Sequence, residues 1–265
     1  MIGPNRFKAW LKDKPAKPPL GTWLMTGAPS TAEAMGFCGF DFLVVDMEHV
    51  PIDLAGAIEL MRAVAGTPAE PVVRLSWNDQ VLVKRVLDAG ARTVMFPFIQ
   101  DADEAEAAVA YTRYPPDGVR GVAGVHRASR YGRVPNYFKT AGDEIAVIAQ
   151  LETLSALDEA EAIAAVDGID SLFLGPADLS ASMGLIGDVG HPDVQAQIER
   201  AAQLAHAAGK PIGIVGPNPE MVKRFIGYGY DWVAIGSDMS ALTTKALEWV
   251  SAMGGETGPG AASSY

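Results

Sequence analysis

The chain has 265 residues, of which 49% are hydrophobic and 20% charged, with a formal net charge of -11. That balance is ordinary for a globular enzyme with a full core, and it argues against a nucleic-acid or anionic-membrane surface, since both require clustered Lys and Arg. The single Cys38 excludes an intrachain disulfide framework, and no stretch approaches the roughly 18 apolar residues of a membrane span. The N-terminal residues 1–8 have no long apolar leader core, so the cytoplasm is the expected compartment.

Strand-length apolar runs alternate with segments of helical period along nearly the whole chain. The expected strands are 21–25, 40–46, 71–75, 93–98, 145–151, 171–175, 211–215 and 232–236. Amphipathic segments at 52–65, 80–88, 102–111, 157–165 and 194–208 lie between them, with Gly66, Gly90 and Gly209 placed as helix stops. Strands that are apolar throughout and separated by helices call for a parallel sheet covered on its outer face. Eight such units predict an α/β fold of the (β/α)₈ TIM-barrel type, a single domain over 1–253. An open doubly wound sheet is the competitor, but no Gly-x-Gly-x-x-Gly turn follows the first strand.

Three segments stand apart from this alternation. Cys38, within Met35-Gly-Phe-Cys-Gly-Phe40, reads as a small buried apolar residue, and Phe96 and Phe98 read as core. The Pro-, Gly- and Arg-rich stretch 114–136 follows the fourth strand-like run and reads as an active-site loop or a subunit contact. The Gly, Ala, Ser and Pro of 254–265 read as a disordered tail.

In a barrel, polar residues at the C-terminal ends of strands are the first candidates for chemistry. Two acidic segments, Gln150-Leu-Glu152 and Gly175-Pro-Ala-Asp178, close the fifth and sixth apolar runs. Neighbouring strands lie about 5 Å apart, so Glu152 and Asp178 could share one octahedral divalent cation. Helix N-capping is the alternative for each. Gln150 shares a strand face with Glu152 and could donate to a substrate oxygen.

Val44-Val-Asp-Met-Glu-His49 ends the second strand with Asp46, Glu48 and His49; a His beside a carboxylate suits general-base work. Arg74, inside Pro71-Val-Val-Arg-Leu75, would bind a carboxylate or stabilise an enolate, or else form a structural ion pair with Asp46 or Glu48. Trp23 is placed at the mouth, and Asp88 and Arg92 read as helix-end charges. No Lys lies within a proposed strand, which disfavours a Schiff base, and no His-Glu-x-x-His or Gly-x-Ser-x-Gly occurs.

Taken together, Phe42-Leu-Val-Val-Asp-Met-Glu-His49, Val73-Arg74, Leu87-Asp-Ala-Gly-Ala91, Gly118-Val-Arg-Gly121, Arg127-Ala-Ser-Arg130, Gln150-Leu-Glu-Thr153 and Leu174-Gly-Pro-Ala-Asp-Leu-Ser180 resemble a known family. It is that of the metal-dependent class II pyruvate aldolases of the 4-hydroxy-2-oxoheptanedioate type, which includes 2-dehydro-3-deoxyglucarate aldolases. The similarity runs from Gly21 to about Met253.

The resemblance implies a carbon–carbon lyase that joins pyruvate or hydroxypyruvate to an aldehyde, or cleaves the product. It implies that Glu152 and Asp178 ligate Mg²⁺, Mn²⁺ or Co²⁺ and that Arg74 contacts the keto oxygen. His49, paired with Asp46, would move the proton through a water at the metal, and Gln150, Gly175, Pro176, Ala177 and Trp23 would line the donor pocket. The resemblance also implies a homo-oligomer, a hexamer built as a trimer of dimers, in which Asp88 reaches a neighbouring subunit's site. The aldehyde would meet Trp23, the loop 50–53 and the turn Pro217-Asn218. An acyl-CoA ester lyase of the citryl-CoA or malyl-CoA kind and a non-catalytic oxo-acid-binding barrel are the alternatives.

Overall fold

The computed structural model of the chain describes residues 3–256. Eight strands alternate with helices: β1 (Leu20–Leu24), β2 (Phe42–Asp46), β3 (Glu70–Arg74), β4 (Thr93–Phe96), β5 (Ala146–Leu151), β6 (Ser171–Leu174), β7 (Ile212–Gly216) and β8 (Trp232–Ser237). The helices are α1 (Arg6–Asp13), α2 (Pro29–Gly36), α3 (Leu54–Ala65), α4 (Gln80–Asp88), α5 (Ala102–Thr112), α6 (Tyr137–Thr140), α7 (Leu154–Asp158), α8 (Ala160–Ala165), α9 (Pro176–Ser182), α10 (Pro192–Ala207), α11 (Pro219–Gly227) and α12 (Asp238–Ala252). The strands pair in sequence order, all parallel, and β8 returns to β1 to close the barrel.

Period-two alternation along the strands builds two cores. Outward residues such as Leu43, Val45, Val94, Val147 and Leu172 pack against the helices. Inward residues such as Trp23, Phe42, Val44, Val72, Ile148, Phe173 and Trp232 fill the barrel. Large and small inward residues face each other. A Cβ on Gly21 would fall 2.3 Å from the Phe42 ring, and one on Gly213 would fall 2.2 Å from the Trp232 ring. The Trp232 indole N–H donates to Ser171 Oγ at 3.0 Å, so its polar atom is satisfied inside the core.

Helix α1, absent from the expected elements, plugs the N-terminal end of the barrel. Phe7 meets Phe42 and Trp232 edge-on at 5.3 and 5.1 Å between ring centroids. Buried Asn5 caps α1 and donates to the carbonyls of Arg92 and Glu144 at 3.0 and 3.1 Å. At the other end, Asp53, Asp79, Asp101, Thr153, Asn218 and Ser237 cap the helices that follow β2, β3, β4, β5, β7 and β8.

Four expectations are corrected. Cys38 is exposed, because the chain turns there after α2 and the strand begins only at Phe42. Phe96 is buried, but Phe98 lies beyond the end of β4 and is 40% exposed. The helix expected at 157–165 is two short helices that meet at Glu159, which sits outside helical geometry. The stretch 114–136 is not an active-site loop of its own barrel, because α5 has already carried the chain back to the N-terminal end. There Ala128 N–H bonds the Asp88 carbonyl and Arg127 bonds the Ala89 carbonyl. Gly66, Gly90 and Gly209 stand at helix stops as expected, Gly66 as the cap of α3 in right-handed backbone and Gly90 and Gly209 in the left-handed conformation. Of the expected tail, residues 257–265 lie outside the described part. Among the described residues no helix is long and apolar enough to cross a membrane.

The tight fit at Gly213 gives a direct test. Gly213→Ala forces the added methyl into the Trp232 ring and should lower unfolding stability by about 1–3 kcal/mol, measured by urea denaturation.

Candidate active site

At the C-terminal end of the barrel the inward positions change from apolar to charged. The β2–β3 register pairs Asp46 with Arg74, which puts both side chains on the inner face one layer above Val44 and Val72. Arg74 Nε and Nη2 donate to the two oxygens of Asp46 at 2.9 and 2.6 Å, a bidentate pair with both residues buried. Arg74 Nη1 lies 3.0 Å from Glu48 Oε2, and the guanidinium carbon sits 5.4 Å from the centroid of the Trp23 ring.

This corrects the expected pairing of His49 with Asp46. Asp46 is spent on Arg74 and on the backbone N–H groups of Glu48 and His49, because the strand ends at Asp46 and the chain turns over its carboxylate. The carboxylate nearest the His49 ring belongs to Glu48, with Nε2 to Oε2 at 3.9 Å, and His49 stands exposed on the rim. Trp23 is also not at the open mouth. It is 1% exposed, packed on Phe173 beneath Arg74, and its indole N–H has no protein partner.

Glu152 follows β5 and is buried, with both oxygens held. Oε1 accepts from Gln150 Nε2 at 2.8 Å, and Oε2 accepts from the backbone N–H of Phe98 at 2.7 Å. Phe98 delivers that N–H from a left-handed backbone, φ 55°, which is strained for an aromatic residue. Its ring lies on the rim, stacked on exposed Trp77 at 6.1 Å. Gly175 is required by close approach, since a Cβ there would lie 2.9 Å from Glu152 Cγ and Oε1. Gln150 Oε1 is buried without a partner.

Asp178 is not at a strand end. β6 stops at Leu174, Gly175 is the N-cap of α9, and Asp178 occupies the first helical turn, exposed. The capping alternative fails for both acids: Gly175 holds the cap position before Asp178, and Thr153, not Glu152, caps α7. No side chain caps α9, which begins Pro176-Ala177.

Asp46 and Glu48 thus share one arginine, and Glu152 and Asp178 add two further carboxylates to the same mouth. Burial, then the fields of Glu48 and Asp178, push the Glu152 carboxyl up to about 8. Burial also raises Glu48, against the pull of Arg74 and His49. A low-dielectric site with surplus carboxylate charge is short of a cation. Among the described residues no three His, Cys, Asp or Glu side chains form a cage. Two carboxylates with open positions are nevertheless the usual protein share of a hard divalent ion that also binds substrate oxygens. The donor set at Glu152 and Asp178 fits such an ion.

Asp88 lies apart from this mouth, at the C-terminal end of α4 and hence at the N-terminal end of the barrel. It accepts from buried Arg120 at 2.7 Å, and that guanidinium stacks on Tyr114 at 4.5 Å. Glu48 meets Arg74 as the ion-pair alternative allowed, together with Asp46 rather than instead of it; the Phe98 amide is the site group that sequence reasoning did not assign. A left-handed phenylalanine leaves no signal in the sequence.

Residues 20–244 match the family described as HpcH/HpaI aldolase/citrate lyase. A 2-dehydro-3,6-dideoxy-6-sulfogluconate aldolase of Pseudomonas putida is 50% identical over 91% of this chain and 94% of its own. A 4-hydroxy-2-oxo-heptane-1,7-dioate aldolase of Salmonella heidelberg (strain SL476) is 45% identical over 95% of both chains. The crystal structure of an HpcH/HpaI aldolase/citrate lyase family protein from Burkholderia cenocepacia J2315 superposes with a TM-score of 0.91 at 42% identity, over 94% of this chain and 99% of that one. Aldolases of this family generally depend on a divalent metal. From the family match along the whole barrel and from relatives that are themselves aldolases, the chain belongs to the HpcH/HpaI aldolase/citrate lyase family and is a carbon–carbon lyase.

Proposed function

We propose that the chain makes and cleaves 4-hydroxy-2-oxo acids, with pyruvate or hydroxypyruvate as donor, an aldehyde as acceptor, and Mg²⁺, Mn²⁺ or Co²⁺ held by Glu152 and Asp178. The observation that carries this reading is Glu152: a buried carboxylate, fixed at both oxygens and crowded by Glu48 and Asp178 until it retains its proton. When bound, the cation would polarise the keto group of a 2-oxo acid and so acidify its adjacent carbon.

The protein's own groups do the rest. Gln150 orients Glu152 and turns its unpartnered Oε1 toward the donor pocket. Gly175, Pro176 and Ala177 form the wall beside it, at the uncapped start of α9. Arg74, fixed by Asp46 and Glu48, stabilises negative charge developing on the keto oxygen. His49 stands on the rim with Glu48 as the nearest carboxylate to its ring, and moves the proton between the donor carbon and solvent. Trp23 supports Arg74 from below rather than touching the acceptor. The acceptor meets the rim: the loop 50–53, the Pro217-Asn218 turn, and the exposed Trp77 and Phe98. The similarity to named aldolases favours an aldehyde over a CoA ester and catalysis over simple binding.

The working unit is a homo-oligomer, a hexamer, in the cytoplasm. Helix α12 supports this, because it exposes Leu242, Leu247 and Trp249. Asp88, held by Arg120 at the end of the barrel opposite its own mouth, fits the same reading, in which it serves a neighbour's site.

Three measurements test the reading. EDTA should abolish pyruvate release from a panel of 4-hydroxy-2-oxo acids and Mn²⁺ should restore it. Glu152→Gln should lower restored kcat/KM by at least about 100-fold, a loss of about 3 kcal/mol; retained activity would remove Glu152 from the metal. In a second measurement, pyruvate methyl protons should exchange with deuterium without any aldehyde. His49→Ala should slow that exchange at least about tenfold with Mn²⁺ affinity little changed, and unaltered exchange would take His49 out of proton transfer.

The third uses pH. The Glu152 carboxyl is raised from 4.5 to about 8 in the folded, metal-free chain, so that chain binds more protons than the unfolded one between those values. Metal-free stability attributable to this group is therefore full below 4.5 and falls as pH climbs toward 8. Metal must displace the proton, so calorimetry in buffers of different ionisation enthalpy should show about one proton released per Mn²⁺ at pH 7.

A further inference from the structure

His126 is a buried ionisable side chain far from the carboxylate mouth of its own barrel. Its side chain is 9% exposed, and the ring packs edge-on to Tyr137 at 5.3 Å between centroids. All its polar atoms but one are tied to the turn that follows. The His126 N–H donates to Ser129 Oγ at 3.3 Å, its carbonyl accepts the Tyr131 N–H at 2.8 Å, and its Nδ1 accepts the Ser129 N–H at 3.1 Å. A neutral imidazole nitrogen that accepts a hydrogen bond carries no proton, so the ring N–H is on Nε2. That Nε2 is buried without a hydrogen-bond partner, and it faces Asp88, with Oδ1 at 3.6 Å.

Asp88 is held in a way that calls for a second donor. Arg120 meets Oδ1 through Nη2 alone, at 2.7 Å, while its Nε and Nη1 are buried without partners. A guanidinium engaged through one nitrogen leaves a carboxylate free to pivot, unlike the two-pronged contact of Arg74 with Asp46. His126 approaches the same oxygen on a segment that the Ala128 N–H ties to the Asp88 carbonyl at 3.1 Å. Both donors therefore converge on Oδ1. Asp88 Oδ2 has no hydrogen-bond donor among the described residues, and the side chain is 21% exposed, so the second oxygen is the one left to meet another chain.

We propose that His126 is a positioning residue for Asp88: its Nε2–H and Arg120 hold Oδ1 from two sides and so aim Oδ2 at the neighbouring subunit's mouth. This role rests on the reading that Asp88 serves a neighbour's site. The contact is long in a chain without its neighbour, and hydrogen bonds of this kind commonly tighten only in the working complex. The competing role for His126 is support of the Ser129 turn through Nδ1. The two roles use different ring nitrogens, which makes them separable.

Two amides separate them, read as kcat/KM for pyruvate release from a 4-hydroxy-2-oxo acid by the Mn²⁺-loaded oligomer. Glutamine places an N–H near the Nε2 position, whereas asparagine keeps an acceptor near Nδ1 and is too short to reach Asp88. His126→Asn should lower kcat/KM at least about tenfold and His126→Gln no more than about threefold. Adding His126→Asn to Asp88→Asn should cost less than about twofold beyond Asp88→Asn alone, because the ring acts through that carboxylate. Coexpressed with Glu152→Gln chains, both His126→Asn and Asp88→Asn chains should gain activity over either parent variant, since mixed oligomers set an intact Asp88 and His126 against an intact mouth. Each variant should elute at the volume of the unmodified protein.

Retained activity in His126→Asn with loss in His126→Gln would give the ring to the turn alone and overturn the proposal. So would losses that add in full in the double variant, or a changed elution volume for His126→Asn. If Asp88→Asn is fully active, or is inactive and gains nothing from Glu152→Gln chains, the cross-subunit reading fails and the role of His126 with it. An impaired Asp88→Asn that is complemented, beside a fully active His126→Asn, removes His126 alone.

Discussion

Arg74 is a single guanidinium buried among carboxylates, and the arrangement of the mouth follows from how it is shared. Asp46 takes it bidentately from the adjacent strand and Glu48 takes its remaining edge. Taking an arginine and an aspartate out of water costs several kcal/mol per ion unless the geometry is nearly ideal and the remaining polar atoms find partners. Here the strand register supplies the geometry, because Asp46 and Arg74 are paired residues of neighbouring strands. With Asp46 neutralised in this way, Glu48 is only partly compensated, and Glu152 has the Phe98 amide, the Gln150 amide and the more distant field of Arg74 but no cation of its own. The electrostatic strain in the mouth is therefore concentrated on Glu152, where an external cation relieves most.

The barrel prepares this concentration from below. Inward residues two apart along each strand run from aromatic and aliphatic in the lower layers to charged in the last: Phe42, Val44, Asp46; Val72, Arg74; Ile148, Gln150, Glu152. The apolar layers keep water from reaching the charges from beneath, which raises the strength of every interaction above them. Phe7 and α1 close the other end. Fold and site are thus one pattern: the period that fills the core also delivers the polar residues to a single ring.

That pattern explains what could be read before the structure and what could not. Alternation of apolar runs and amphipathic segments was enough for the barrel, and the acidic and basic residues closing those runs were enough for Asp46, Arg74, Gln150 and Glu152. Partner choice was not legible. Whether Asp46 serves His49 or Arg74 depends on a strand ending at Asp46 and on a register that no spacing encodes. Exposure at element ends was also misread: Phe98 is two positions beyond β4 and has left the alternation that predicts its burial, and Cys38 lies in the turn between α2 and β2. For residues 114–136, read as an active-site loop or a subunit contact, the first alternative fails for the chain's own barrel because α5 reverses the chain first.

Phe98 divides its labour between backbone and side chain. Its amide proton fixes Glu152, while its ring lies outside, stacked on Trp77. A group supplied by the main chain survives replacement of the residue, provided the newcomer tolerates the left-handed conformation, as Gly and Asn do more readily than Phe. Position 98 is therefore a place where the outline of the entrance can drift during evolution without disturbing the buried Glu152 carboxylate. A barrel organised in this way can exchange one aldehyde for another by rim substitutions while the reacting centre stays fixed.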